Sequence, residues 1–304
     1  MNYKVETDSE FRCGHVALLG RPNVGKSTLL NVLVGEKLSI VTPKPHTTRN
    51  RILGVLNRPT GQAVFIDTPG FSRRSGRVLH RLMARSLRQT LEDADLVALV
   101  TDASRPVEAD AELIEEIVHE AKPAIIVINK IDRLKSKDEL LPRIEALSKF
   151  PFKEFVPVSA LKGSNLDSLE RAIIRNLPEG QALYPADFTT DKSLAFRASE
   201  IIREKLMTEL HQEIPYGLAV AIEAMDLDDR GRRVIHGVIW IERESHKAIV
   251  IGRNGEVLKR VGSQARPELN RLFGERVHLE LWVKVREHWS DNADELRRLG
   301  FDSV

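Results

Sequence analysis

The stretch Gly20-Arg21-Pro22-Asn23-Val24-Gly25-Lys26-Ser27-Thr28 constrains this chain more than any other. An apolar run, His15 to Leu19, precedes it, and Leu29, Leu30, Val32 and Leu33 follow at helical spacing. A buried strand, a glycine turn and a helix start are the setting in which a loop cradles phosphate. Gly20 and Gly25 permit backbone conformations that a Cβ forbids, so successive N–H groups can converge on phosphate oxygens. The helix that begins near Lys26 adds its partly positive N-terminus. Lys26 is then placed to reach the β- and γ-phosphates, and the Ser27 hydroxyl to ligate Mg²⁺.

Beyond the loop, residues 36–50 keep no sustained period and carry Pro43 and Pro45. Strand-like Ile52–Leu56 and Gln62–Ile66 flank the turn Arg58-Pro59-Thr60-Gly61, and so short a connection makes the pair antiparallel. The second strand runs into Asp67-Thr68-Pro69-Gly70. A carboxylate at the end of a buried strand, followed by a glycine turn, suits water-mediated Mg²⁺ binding opposite Ser27, and the Gly70 N–H can meet a γ-phosphate. Further strands are expected at 96–100, 124–128 and 154–158, with helical patterns at 107–121, 137–149 and 165–176. That alternation predicts a mostly parallel sheet with helices on both faces and ligand sites at the carboxyl ends of its strands.

The base is chosen by Asn129-Lys130-Ile131-Asp132, directly after a strand. A carboxylate at Asp132 can accept hydrogen bonds from guanine N1–H and its 2-amino group, neither of which adenine offers. Sites that meet such groups discriminate by about 10⁴ or more. Asn129 can tie neighbouring loops or face O6 and N7 of the base, and the stem of Lys130 can cover it.

The second half changes character. Residues 177–191, with Pro178, Gly180 and Pro185, are expected to link residues 1–176 to a second domain, 192–304. There the order is helix (194–213), strand (217–225), polar turn, strand (234–242), short helix, Gly252-Arg253-Asn254-Gly255, long helix (256–273), strand (277–285). The last strand alternates strictly, apolar at odd positions, so one face packs on helices. This is the α+β order of a type II KH domain, in which Gly-x-x-Gly clamps single-stranded backbone. From Ile251 to Arg286, eight Lys/Arg face four Asp/Glu, a local net charge of +4 in a chain of +2. The whole-chain charge is too small to name a partner; the local one favours RNA.

Taken in order, Gly20–Ser27, Thr47-Thr48, Asp67–Gly70, Asn129–Asp132 and Val158-Ser159-Ala160 resemble the motifs of the translation-factor-related P-loop GTPases. The resemblance implies an α/β GTPase domain that cycles GTP and GDP through switches near 36–50 and 68–85. It implies that Ser159 and Ala160 border the base, and that Thr47 or Thr48, with Thr48 favoured, covers Mg²⁺ and the γ-phosphate. Phe71 follows Asp-Thr-Pro-Gly where Ras-like enzymes place a glutamine that orients water. A phenyl ring cannot do this by hydrogen bonding. In some members with an apolar residue there, an Asn at the position of Asn23 helps hold K⁺; the alternative reading makes Asn23 a loop stabiliser. Arg49 and Arg73-Arg74 are expected to be solvated or to face RNA.

A P-loop GTPase followed by a type II KH domain resembles the Era family of bacterial ribosome-assembly GTPases. The resemblance rests most specifically on His46–Arg49, Ala198–Leu206 and His278–Val285. It implies a monomer that binds single-stranded 16S rRNA near its 3′ end during 30S subunit maturation. It also implies a cytoplasmic protein with some peripheral association at the inner membrane, for which Arg73–Arg88 is the candidate contact. A single cysteine, Cys13, excludes an internal disulfide framework, and no apolar run approaches the ~18 residues needed to span a bilayer. Met1–Glu10 is polar and acidic, unlike a secretory signal.

Overall fold

The computed structural model describes residues 11–44, 47–68, 88–211, 214–287, 289–292 and 296. They form two compact units, 11–37 with 52–68 and 88–191, and 38–51 with 192–296. In the first, strands β1 (Arg12–Leu19), β2 (Ile52–Arg58), β3 (Gly61–Asp67), β4 (Leu96–Asp102), β5 (Ala124–Asn129) and β6 (Phe155–Pro157) line up as β2-β3-β1-β4-β5-β6. Only β2 runs antiparallel to its neighbour. Helices α1 (Lys26–Val34), α2 (Ala111–His119), α3 (Leu140–Leu147) and α4 (Leu166–Asn176) alternate with the strands, and residues 88–93 are also helical.

The strands are apolar on both faces because helices cover both. Ala17 and Leu19 of β1 pack with Val97, Leu99, Ile126 and Ile128 against Leu113, Ile117 and Leu147, while the intervening Val16 and Leu18 are fully buried as well. In α4 the apolar side chains Leu169, Ala172 and Ile173 fall on one helical face, and all are buried. The strand order reverses at β1, which has β3 on one side and β4 on the other. A crevice at the carboxyl end of such a strand is where open α/β sheets bind ligands, and the loop at Gly20 leaves β1 there.

The second unit contains α5 (Leu194–Glu209), α6 (Glu244–Ile251), α7 (Glu256–Phe273) and a sheet ordered β7 (Leu218–Leu227), β8 (Arg233–Ile241), β9 (Val277–Val285). β7 and β8 are antiparallel; β8 and β9 are parallel. Ser193 caps α5 by accepting the Phe196 N–H at 3.2 Å. Val261, Ala265 and Leu269, one turn apart on α7, meet Ile202 and Leu206 of α5 and Ile235 and Ile239 of β8 in one core. The odd positions of β9 turn inward, as the alternation predicts, and Trp282 on the other face is 45% exposed.

Two stretches differ from expectation. Residues 177–191 are not a free connector but part of the first unit. Thr189 O accepts the Val55 N–H at 2.9 Å, the Thr190 hydroxyl donates to Leu53 O, and the buried Gln62 carboxamide accepts the N–H groups of Leu183 and Tyr184 and donates to Tyr184 O. Polar side chains supply here the order that the proline and glycine content hides. Residues 38–51, assigned by their position in the sequence to the first domain, pack with the second unit. Arg203 donates to Thr47 O at 2.6 Å and Arg49 to Leu218 O at 2.7 Å, while Glu204 accepts the Val41 N–H. Lys44 donates to Met207 O and Leu210 O, carbonyls left over at the end of α5. Arg49 is therefore buried and bound to backbone, not solvated. Three hydrogen-bonding cations replace the apolar pattern that would have announced this packing.

Candidate nucleotide site and glycine loop

The first unit assembles most of its expected site residues at the carboxyl ends of β1, β3, β5 and β6. Gly25, at φ 101°, closes the loop and starts α1 with no side-chain cap, so the first N–H groups of the helix are presented by backbone alone. A Cβ on Gly25 would lie 2.4 Å from Asn129 Nδ2, which explains the glycine by space as well as by φ. Arg21 is turned away to Ala109 O, and Pro22 and Asn23 form the outer curve, Asn23 with φ 64°. Thr28 is half-buried on α1, and Val24 is buried beneath the loop.

Lys26 is only 6% exposed and its ammonium donates to Gly20 O at 2.9 Å and Arg21 O at 3.2 Å. Burial pushes its pKa down to about 8, with the Asp67 charge opposing the shift. A desolvated ammonium held by two weak acceptors is poised for a stronger anion. The Ser27 hydroxyl donates to Asp67 Oδ2 at 2.8 Å. A hydroxyl and a carboxylate at the ends of adjacent elements form the hard oxygen donor set that Mg²⁺ takes, so the residues fit the ion. Thr68 donates to Leu18 O at 3.1 Å, which locks the end of β3 to β1.

At the base end, both ends of the Asn129 amide tie loops together. Its Nδ2 donates to Val24 O at 2.9 Å, and its Oδ1 accepts the Ala160 N–H at 3.0 Å and the Lys130 N–H at 2.8 Å. Of its two expected roles, the structure supports the tie. Ser159 is fully buried and donates to Asp132, whose own side chain is exposed. Lys130 adopts φ 65° and donates to Asn23 O and, at 2.8 Å, to Asp102 Oδ2. Asp102 and Ser104 escaped the sequence reading; the available signal was a carboxylate ending a buried strand, the pattern that singled out Asp67.

Pro69, Gly70, Phe71, Arg73-Arg74, His46 and most of Arg73–Arg88 lie outside the described residues. Thr47 and Thr48 belong to the second unit: both are buried in 38–51, and the Thr47 hydroxyl donates to Lys44 O at 2.7 Å. In the second unit, Gly252 (φ 77°), Asn254 (φ 53°) and Gly255 (φ 76°) bend the chain between α6 and α7, with Arg253 and Asn254 exposed. A Cβ on Gly252 would fall 2.8 Å from Val257 N, whereas one on Gly255 meets nothing within 4 Å. Among the described residues no helix is long and apolar enough to cross a membrane.

Comparison with known proteins agrees with this geometry. Residues 15–130 match the model of the 50S ribosome-binding GTPases, and residues 213–290 that of the KH domain. The chain is 45% identical over 296 residues to the GTPase Era of Glaesserella parasuis, covering 97% of this chain and 99% of that one. The chain belongs to the Era family of GTPases. A crystal structure of an Aquifex aeolicus Era variant bound to GDP and AlF4⁻ superposes with a TM-score of 0.91 at 43% identity, covering 96% of this chain and 99% of that one. A structure of Era with MgGDPNP and nucleotides 1506–1542 of 16S ribosomal RNA gives 0.90 at 44%, with the same coverage.

Proposed function

We propose that this Era-family chain binds and hydrolyses GTP in its first unit, and in its second binds single-stranded 16S rRNA near the 3′ end while the 30S subunit assembles. The observation that carries the nucleotide half is the buried Lys26 ammonium beside the Ser27–Asp67 pair, at the point where the strand order reverses. Lys26 would exchange two loop carbonyls for β- and γ-phosphate oxygens. Ser27 and Asp67, with Thr48 once GTP is bound, would hold Mg²⁺, which neutralises phosphate charge. Gly70 would donate its N–H to the γ-phosphate, and Asp132, fixed by Ser159, would read the guanine edge between Lys130 and Ala160. The RNA half rests on the open Gly252–Gly255 loop and on the 16S fragment bound by the solved relative. Arg253 and Asn254 would meet phosphate while bases enter the adjoining groove.

Asn23 carries two roles into this reading, a K⁺ contact or a loop stabiliser. Faster hydrolysis in K⁺ than in Na⁺ at equal ionic strength, abolished by Asn23→Ala, selects the first; equal wild-type rates select the second. We also infer, from the family resemblance, a cytoplasmic protein with peripheral contact at the inner membrane. The test of the whole is multiple-turnover phosphate release from GTP but not ATP, together with binding of a 16S 3′-end fragment that a GTP analogue and GDP support unequally. Absence of turnover would leave a nucleotide-stabilised RNA-binding protein.

A further inference from the structure

The side chain of Asp102 is almost completely buried, 2% exposed, at the carboxyl end of β4, and its two oxygens do different work. Oδ1 accepts the N–H of Ser104 at 3.0 Å and its hydroxyl at 2.7 Å, which shapes the turn after the strand. Oδ2 accepts the Lys130 ammonium at 2.8 Å, with Arg105 and Arg133 each 3.9 Å away. The sheet register sets Asp102 directly beside Asn129. Lys130 in turn bridges to Asn23 O, so one ammonium joins the end of β4, the base-reading segment and the phosphate loop.

A lysine has four rotatable bonds and a strongly hydrated head, so it does not cover a base in one conformation unless that head is anchored. Burial alone would raise the Asp102 pKa, but hydrogen bonds from Lys130 and Ser104 outweigh it and hold the carboxyl below its usual range. The carboxylate therefore stays ionised at neutral pH and able to anchor. Lys130 also pays backbone strain at φ 65°, which fits a residue whose position is imposed by its surroundings.

We propose that Asp102 is a positioning residue for nucleotide: acting through Lys130, it fixes the lid over the base. This rests on the nucleotide reading above. The effect belongs to the base end, so GDP and GTP are affected alike and the chemical step is untouched.

Asp102→Asn is nearly isosteric and can still accept from Ser104, but it turns an N–H₂ toward the Lys130 ammonium and expels it. The expected result is a rise of about tenfold in Kd for both GDP and GTP and in KM, with kcat unchanged. In a Lys130→Met background the same substitution should add nothing. A purely structural Asp102 would instead lower the melting temperature, leave KM alone, and give additive effects with Lys130→Met. A folded Asp102→Asn that binds GDP within about twofold of wild type, or additivity in the cycle, overturns the proposal. Should the Asn variant fail to fold, Asp102→Glu keeps the charge and displaces it by one methylene. A smaller KM rise at constant kcat is then expected, and an unchanged KM overturns the proposal. Wild type and Lys130→Met are measured alongside: a wild type that binds no GDP removes the nucleotide reading itself, whereas normal wild-type binding with an indifferent Asp102→Asn removes only this inference.

Discussion

Gly20–Gly25 and Gly252–Gly255 are built by the same backbone device and are followed by opposite charges. Each ends in a left-handed glycine that starts a helix with no side-chain cap, Gly25 before α1 and Gly255 before α7. Neither helix start is therefore covered by a capping side chain. The residue that follows is Lys26 in one and Glu256 in the other, buried in the first case and exposed in the second. A buried cation on the helix start draws the end of a polyphosphate inward. An exposed carboxylate at that point favours the helix dipole but repels phosphate. The second loop is thus suited to an RNA backbone passing alongside, with charge supplied by Arg253. Surroundings of the two helix-starting glycines differ in the same sense: Gly25 is packed against Asn129, whereas Gly255 faces open space.

The largest expected effect tests specificity, which only the first site has. Asp132→Asn should cost on the order of 10⁴ in GTP affinity and favour xanthosine triphosphate, whose 2-oxo group accepts from the new amide. RNA binding should be unaffected; unchanged GTP affinity would mean that Asp132 does not read the base. Next, Gly25→Ala adds strain at φ 101° to a 2.4 Å clash and should weaken nucleotide binding about 100-fold or more, whereas Gly255→Ala, with strain alone, should cost RNA binding less than about tenfold. Isothermal titration of the two variants measures both, and comparable losses would erase the distinction between a packed and an open glycine.

A third experiment uses pH. Lys26 in the nucleotide-free protein has its pKa depressed to about 8, and bound phosphate favours the charged form. Binding therefore takes up protons above that value: nucleotide affinity is flat below pH 8 and falls by up to about tenfold per pH unit above it. About half a proton should be taken up per GDP bound at pH 8, read from the buffer dependence of the binding enthalpy. Gly252–Gly255 contains no lysine, so no matching proton uptake is expected when RNA binds this loop. The smallest effect is a gain. Glu256→Gln removes the repelling charge and should tighten binding of a 16S 3′-end fragment by about two- to fivefold at low salt. No gain would place the RNA phosphates away from the start of α7.

The order of strands and helices was readable because their apolar periods are regular: α7 and β9 have the expected limits. Elsewhere hydrogen bonding overrode the pattern. β6 shrinks to Phe155–Pro157, and the pattern at 137–149 becomes a 3₁₀ turn leading to a helix at Leu140–Leu147. The phosphate and base motifs were legible because glycine, lysine and carboxylate have few substitutes there. What was not legible depends on partners far away in the chain. Arg49 meets a carbonyl 169 residues on, and Arg203 one 156 residues back, so neither spacing nor composition marks them. Asp102 and Lys130, 28 residues apart, meet because adjacent parallel strands end side by side.

The hydrogen bonds between 183–190 and β2–β3 also bear on the outer border of the first sheet. β2 is an outer strand of its sheet, and such a strand offers unpaired backbone to any other chain. Thr189, Thr190 and Phe188 engage Val55, Leu53 and Asn57 along that border, so the passage from one unit to the next shields it. A fragment cut after Asn176 would keep every nucleotide motif yet expose this border, and would be prone to stack into β-linked aggregates. The same fragment extended to Asp191 carries its own shield and should stay monodisperse in light scattering.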